Sequence, residues 1–174
     1  LHGGFSNVIL VGFDSSVRAP FDDFRAASAA VGSELNRLKA VHVAIDRLDC
    51  VSFAAEQVLA GQLACTLPLS EYCFDYYLSE KSTHYSRTLT LLAAEACTEA
   101  VEEGLALAES ICTARDLVNE LADILTPEEL ARRAIACGQR CGFSVETLDK
   151  AACETLGMGL FLAVAKGSPL PPRL

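Results

Sequence analysis

The sequence is poor in basic residues. It carries 14 lysines and arginines against 23 aspartates and glutamates, which gives a formal net charge of −9. Non-specific affinity for nucleic acids comes from clustered lysine and arginine, and the basic residues here are spread thinly along the chain. We therefore expect no nucleic-acid partner, and we attribute the acidity to solubility.

Long apolar runs are also missing. Every uninterrupted run is far shorter than the roughly 20 residues that a helix needs to cross a bilayer. The first four residues, Leu-His-Gly-Gly, lack the basic region and the cleavage pattern of a signal peptide. We therefore expect no membrane partner and a cytoplasmic location. The 51% of residues that are hydrophobic are instead ample for a folded core.

Closely spaced cysteine pairs in loops, which would indicate a disulfide framework, are absent. The eight cysteines fall inside helical and apolar patterns, so we expect reduced and mostly buried thiols. Cys137 and Cys141 lie four residues apart on a predicted helix and share a face with Leu130 and Ala134. We expect both to pack inward, because free cysteine is among the most buried residue types. A metal or disulfide role for this pair is the alternative.

Strand and helix patterns alternate in the first half of the chain. Short apolar runs predict strands over residues 7–13, 40–45 and 88–92. Apolar positions three and four residues apart predict helices over residues 21–39 and from residue 51 to about Gly61. Pro68 excludes a central strand, so residues 62–70 are expected to be extended or irregular. The alternation predicts an α/β fold with a mainly parallel sheet.

A long helix over residues 95–120 should follow and connect two domains. At 1.5 Å per residue it would extend about 35 to 40 Å, enough to bridge them. Gly104 inside it costs about 1 kcal/mol of helix propensity relative to alanine, which indicates close packing by a neighbour. We therefore divide the chain into an N-terminal α/β domain at 1–94, a connecting helix at 95–120, and the beginning of a second domain at 121–174.

The next helix has a complete start signal. Thr126 is expected to accept a hydrogen bond from the N–H of Glu129, whose side chain should reach back to the N–H of Thr126, with Pro127 at the first helical position. Gly142 should end this helix. Asp149 should cap a short helix that Gly157 terminates. Residues 143–148 alternate like a half-exposed strand, and residues 160–165 are typical of a buried central strand.

Several short motifs in this region occur in an order typical of one enzyme family. They are Arg115-Asp116-Leu117-Val118-Asn119-Glu120, Leu125-Thr126-Pro127-Glu128, Gly157-Met158-Gly159, Val164-Ala165-Lys166-Gly167-Ser168 and Pro171-Pro172-Arg173-Leu174. Together they resemble the leucyl aminopeptidase (cytosol aminopeptidase) family. The resemblance is densest over residues 113–174 and extends more weakly back to Val8. Leu121 and Asp123 depart from it, since the family usually has Pro and Asn there.

The resemblance implies an N-terminal fragment of a metal-dependent exopeptidase. It implies a macro-like N-terminal domain, the connecting helix and the first elements of a zinc-peptidase-like α/β/α catalytic domain. It also implies peptide substrates, a homo-hexamer and two divalent metal ions, Mn or Zn. The alternative is a non-catalytic macro-like module for ligand binding or assembly, although Asp14-Ser15-Ser16 stands where a glycine-rich phosphate loop would be expected.

The sequence offers no catalytic, metal or substrate-binding residue. The two signature runs of the family, a glycine-rich stretch with Lys and Asp and an Asn-Thr-Asp-Ala-Glu-Gly-Arg stretch, are absent, and we expect them beyond Leu174. Glu128 and Glu129 are assigned to capping. Lys166, at the end of a predicted strand, is assigned a structural or rim role, and Ser168 lacks the pattern of a nucleophile.

Other polar residues are also given no role in a site. The paired acids are expected to be solvated, and the histidines show no ligand spacing. These residues are Asp22, Asp23, Glu102, Glu103, His2, His42 and His84. The aromatic cluster, formed by Tyr72, Phe74, Tyr76 and Tyr77, is expected to fill a core or a subunit contact, with a binding surface as the alternative.

Overall fold

The computed structural model describes residues 7–12, 19–46, 53–80 and 87–174. The chain divides into two compact units, Leu1–Asp116 (unit 1) and Leu117–Leu174 (unit 2). Unit 1 contains helix α1 (Pro20–Arg37), strand β1 (His42–Ile45), helix α2 (Glu56–Glu71), strand β2 (Thr88–Leu91) and most of helix α3 (Thr98–Asn119). A 3₁₀ turn at Glu95–Cys97 precedes α3. Unit 2 contains α4 (Pro127–Cys141), α5 (Lys150–Thr155) and α6 (Gly159–Ala165).

The two strands pair in parallel. His42 lies opposite Thr88, and Ile45 lies opposite Leu91. Parallel neighbours need a crossover connection, and here the segment between them contains α2. The predicted α/β class with a parallel sheet is confirmed, as are the strands expected at 40–45 and 88–92.

The core of unit 1 lies between α1, α2 and the sheet. Phe24 of α1 packs with the buried leucines of α2, and Ile45 and Leu91 of the two strands pack against this cluster. The ring of Phe53 meets Phe24 edge to face with the centroids 6.2 Å apart. The helix predicted over residues 21–39 is therefore confirmed as α1.

The end predicted for α2 is wrong, because the helix continues through Gly61 and Pro68 to Glu71. Proline inside a helix removes one hydrogen bond and crowds the preceding turn, at a cost of about 3 kcal/mol. Leu59, Leu63 and Leu67 are buried along the same helix, and burying a leucine side chain contributes about 1.5 to 3 kcal/mol. The packing of these side chains offsets the proline penalty.

Two glycines let α2 and α3 approach closely. A Cβ added to Gly61 would meet the carbonyl oxygen of Ala100 at 2.9 Å, and one added to Gly104 would collide with the carbonyl oxygen of Gly61. Ala108, one turn beyond Gly104, is buried. The close neighbour expected at Gly104 is therefore confirmed.

The capping signals of unit 2 act as predicted at most positions. The hydroxyl of Thr126 accepts a hydrogen bond from the N–H of Glu129 at 3.3 Å, and the carboxylate of Asp149 accepts one from the N–H of Ala152 at 2.8 Å. Gly142 ends α4 with φ 80°, and Gly157 follows α5 with φ 70°. These positive φ angles explain glycine at both positions.

Three predicted strands are wrong. Residues 143–148 form no strand, although Leu148 and Leu174 exchange two backbone hydrogen bonds of 2.7 and 3.1 Å. Residues 160–165 form α6, in which Leu160 is 89% exposed instead of buried. Residues 7–12 are neither strand nor helix, with Leu10 92% exposed, and residue 13 lies outside the described residues. No helix in the described parts of the chain is long and apolar enough to cross a membrane.

Candidate functional site

The motif residue Asp116 borders an open cleft in unit 1. The cleft has a volume of about 520 Å³. It is lined by Pro68, Glu71, Tyr72, Cys73, Asp75, Tyr76, Cys112 and Asp116. The aromatic cluster and the motif at the end of α3 therefore meet at one place.

Three contacts fasten these stretches to each other. The hydroxyl of Tyr72 donates a hydrogen bond of 2.9 Å to Asp116 Oδ1. The guanidinium carbon of Arg115 lies 5.3 Å from the ring centroid of Tyr72, a distance at which a cation is attracted to the ring face. Arg115 Nη1 also donates to the carbonyl oxygen of Leu69 at 3.2 Å. The polar groups at this side of the cleft thus form contacts that stabilise the fold.

Two other ionisable groups of the cleft, Glu71 and Cys112, lie in surroundings that disfavour reactivity. Glu71 forms an ion pair with Arg87, whose side chain is 4% exposed and whose pKa is lowered by burial. Burial likewise raises the pKa of the Cys112 thiol, which disfavours the nucleophilic thiolate. No local pattern in the sequence indicated the role of Arg87, which also donates hydrogen bonds to the carbonyl oxygen of Ala40 and to Asn36 Oδ1.

The aromatic cluster lies largely at the surface. Tyr76 is 64% exposed and Tyr77 is 53% exposed, and their rings contact Phe74 with centroids 5.4 and 6.0 Å apart. These two tyrosines do not fill the core, so the first of the two expected roles is wrong for them. A role in subunit contact or in ligand binding stays a prediction.

In unit 2, Glu129 is held by arginines instead of by the capping box. Its carboxylate accepts hydrogen bonds of 2.7 Å from Arg132 and Arg133, and these arginines lower the pKa of Glu129 to about 2. Arg133 also donates to Glu120 at 2.8 Å. The reciprocal bond expected from Glu129 to Thr126 is not formed, because the N–H of Thr126 donates to the Ile124 carbonyl. Glu120 of the first motif is thereby joined to α4.

Lys166 and Ser168, two of the remaining motif residues of unit 2, are exposed. Lys166 follows helix α6, and not a strand as expected. The hydroxyl of Ser168 accepts a hydrogen bond from the N–H of Leu170 at 3.2 Å. Glu128 pairs with Arg173 at 2.5 Å, joining the start of α4 to the Pro-Pro-Arg-Leu motif. These contacts stabilise local structure and supply no catalytic pair.

The cysteines of the described residues are free thiols. Cys97 and Cys153 are buried, Cys137 is half-buried and Cys141 is exposed. The expectation that Cys141 packs inward is therefore wrong. Its position on α4 puts it on the solvent side at the last turn of the helix.

Side chains do not converge on a metal site in the part of the chain that the structure describes. There, no group of three or more His, Cys, Asp or Glu side chains lies close enough to hold a metal ion. His42 is exposed on β1, whereas His2 and His84 lie outside the described residues. Asp22, Glu102 and Glu103 are exposed as expected, and Asp23 is half-buried. A two-metal centre needs several carboxylates around two ions about 4 Å apart, and the residues present do not fit it.

Comparison with known proteins gives consistent matches. A model of the cytosol aminopeptidase family, catalytic domain, matches residues 112–174. The probable cytosol aminopeptidases of Clostridium perfringens and Persephonella marina are 33% and 34% identical over 97% and 98% of the chain. The chain spans 35% of the length of each of these two relatives.

Solved structures agree. The bottromycin maturation enzyme BotP in complex with Mn is 31% identical, with a TM-score of 0.78 over 94% of this chain and 34% of that chain. A mutant of tomato leucine aminopeptidase is 27% identical, with a TM-score of 0.73 over 91% of this chain and 33% of that chain. The fold is thus that of an α/β protein similar to aminopeptidases. With the motifs of residues 113–174 and the match to the family model, the chain belongs to the cytosol aminopeptidase family.

Proposed function

We propose that this chain is the N-terminal part of a metal-dependent leucyl aminopeptidase, which removes N-terminal residues from peptides. Residues 1–94 form its N-terminal domain, residues 95–120 a connecting helix, and residues 121–174 the beginning of its catalytic domain. The catalytic and metal-binding residues lie in polypeptide outside these 174 residues. The chain alone is therefore inactive.

The observation that carries this proposal is the extent of the match. Nearly the whole chain aligns with aminopeptidases, yet it spans about a third of their length. The two signature runs that carry the family's site are absent from the sequence. The described residues do contain family motifs, and these are engaged in capping, ion pairs and helix packing, as at Thr126, Glu128 and Asp116.

The metals and partners follow from the same proposal. The complete enzyme binds two divalent ions, Mn or Zn, and the complex of BotP with Mn supports manganese. The ions would polarise the scissile carbonyl and lower the pKa of a bound water. Peptides are its substrates, a homo-hexamer is its assembly and the cytoplasm is its location.

The test compares two lengths of the same polypeptide. The product of the complete natural gene and the 174-residue chain would each be assayed with leucine p-nitroanilide and Mn²⁺, with a chelator as the metal control. We expect chelator-sensitive hydrolysis by the former and none above the blank by the latter. Turnover by the 174-residue chain, a gene that ends at Leu174, or a complete product without activity would each contradict the proposal.

A further inference from the structure

The last three turns of α3 are not anchored by the core. Gly104 and Ala108 are the buried residues of this helix. Beyond Ala108, every residue up to Asn119 is half-buried or exposed. This stretch is the C-terminal half of the 22-residue helix α3, and helix ends with few buried side chains fray most easily. Its helical state therefore depends on contacts made by its side chains.

Those contacts concentrate on two consecutive residues. Arg115 and Asp116 both engage Tyr72, through the ring face and through the hydroxyl. Arg115 also donates to the carbonyl oxygen of Leu69 in the last turn of α2. The carbonyl groups of a last helical turn lack partners within the helix, and a cation there is favoured by the helix dipole. Each contact thus joins the end of α3 to the end of α2.

The position of these residues gives the contacts a particular importance. Residues 112–116 match the catalytic-domain model of the family, but they belong to unit 1. Tyr72 lies 40 residues before the start of that match. The first residues of the catalytic-domain segment are therefore positioned by a side chain that precedes it.

We propose that Tyr72, Arg115 and Asp116 form a latch that sets how often the end of α3 opens. Closed, the latch keeps the end of α3 helical and holds residues 109–116 against α2. Open, this stretch frays while the core of unit 1 stays folded, because Phe24, Leu59 and Leu63 make no part of the latch. This inference does not depend on the proposed aminopeptidase activity.

Hydrogen exchange of the backbone amides, read by mass spectrometry on the intact 174-residue chain, tests the latch. Tyr72→Phe removes the hydroxyl that donates to Asp116 and keeps the aromatic ring, so the variant protein should fold. We expect exchange of residues 112–119 to accelerate about two- to tenfold, the factor that corresponds to the net free energy of one hydrogen bond. Adding Arg115→Met should accelerate it further. In both variants, exchange of α1 should be unchanged.

The control is Tyr77→Phe, which removes a hydroxyl from the exposed part of the aromatic cluster. It should leave exchange of residues 112–119 unchanged. Unchanged exchange in the double variant would overturn the proposal. Equal acceleration in α1 would also overturn it, since that result indicates global destabilisation, and so would equal acceleration in the Tyr77 control.

Discussion

Replacing Gly104 with alanine would force a methyl group into the place where α2 and α3 meet. The new Cβ would collide with the backbone carbonyl oxygen of Gly61 and lie 3.1 Å from the Cβ of Ala64. A backbone oxygen cannot rotate away, so the helices must separate, and overpacking typically costs about 1 to 3 kcal/mol. Alanine is favoured over glycine in a helix by about 1 kcal/mol. With the steric cost at the upper end, the net loss of stability is about 2 kcal/mol.

Thermal unfolding followed by far-ultraviolet circular dichroism measures this loss. For a chain of this size, 2 kcal/mol corresponds to a Tm lower by about 4 to 8 °C. Gly159→Ala is the matched control, because Gly159 begins α6 and a Cβ there would have no neighbour within 4 Å. That variant should melt at the wild-type temperature or slightly above. If Gly104→Ala does the same, the close approach of α2 and α3 is refuted.

Three further substitutions test the polar contacts. The pKa of Glu129 is about 2, below its ordinary 4.5, so its contribution to stability is present above about pH 4.5 and lost as the pH falls towards 2. Glu129→Gln should therefore lower the Tm at neutral pH, and the Tm difference between the variant and the wild type should narrow as the pH falls. A Tm difference that does not change with pH would contradict the ion pairing. Thr126→Ala should cost about 1 kcal/mol in urea titrations, whereas Thr126→Ser, which keeps the capping oxygen, should cost much less. Arg87→Met should cost about 2 to 4 kcal/mol, because it leaves the half-buried Glu71 without its cation. Arg37→Met, at an ion pair whose arginine side chain is 68% exposed, should cost much less than Arg87→Met, and equal costs would show that burial is not decisive.

The features that the sequence predicted well depend on neighbours within a few residues. A cap at Thr126 needs only the N–H of Glu129, three residues on. The termination of α4 needs only a glycine at residue 142 that accepts a positive φ. Such interactions form in the same way whatever surrounds the helix, so their residue types are sufficient to identify them.

Predictions failed where distant packing decides the outcome. Pro68 argued against regular structure, but burial of the leucines of α2 overrides it. The run at residues 160–165 is apolar without interruption, and such a run does not distinguish a strand from a helix. In the structure it is helical, with Leu160 and Val164 largely exposed. Composition alone assigned it to a buried sheet, because apolar side chains are expected to be covered.

The candidate cleft also combines local features that the sequence predicted with distant packing that it did not predict. The sequence analysis identified the aromatic cluster and the motif that begins at Arg115 independently of each other. No local pattern links Tyr72 to Asp116, because they are 44 positions apart. Tyr72 and Asp116 meet because Gly61 and Gly104 bring α2 and α3 together several turns earlier along the same two helices. The glycine contact and the latch are therefore two ends of one packing interaction. Gly104→Ala should consequently accelerate amide exchange at residues 112–119 more than in α1, as well as lower the Tm, whereas equal acceleration in both places would reflect global destabilisation alone.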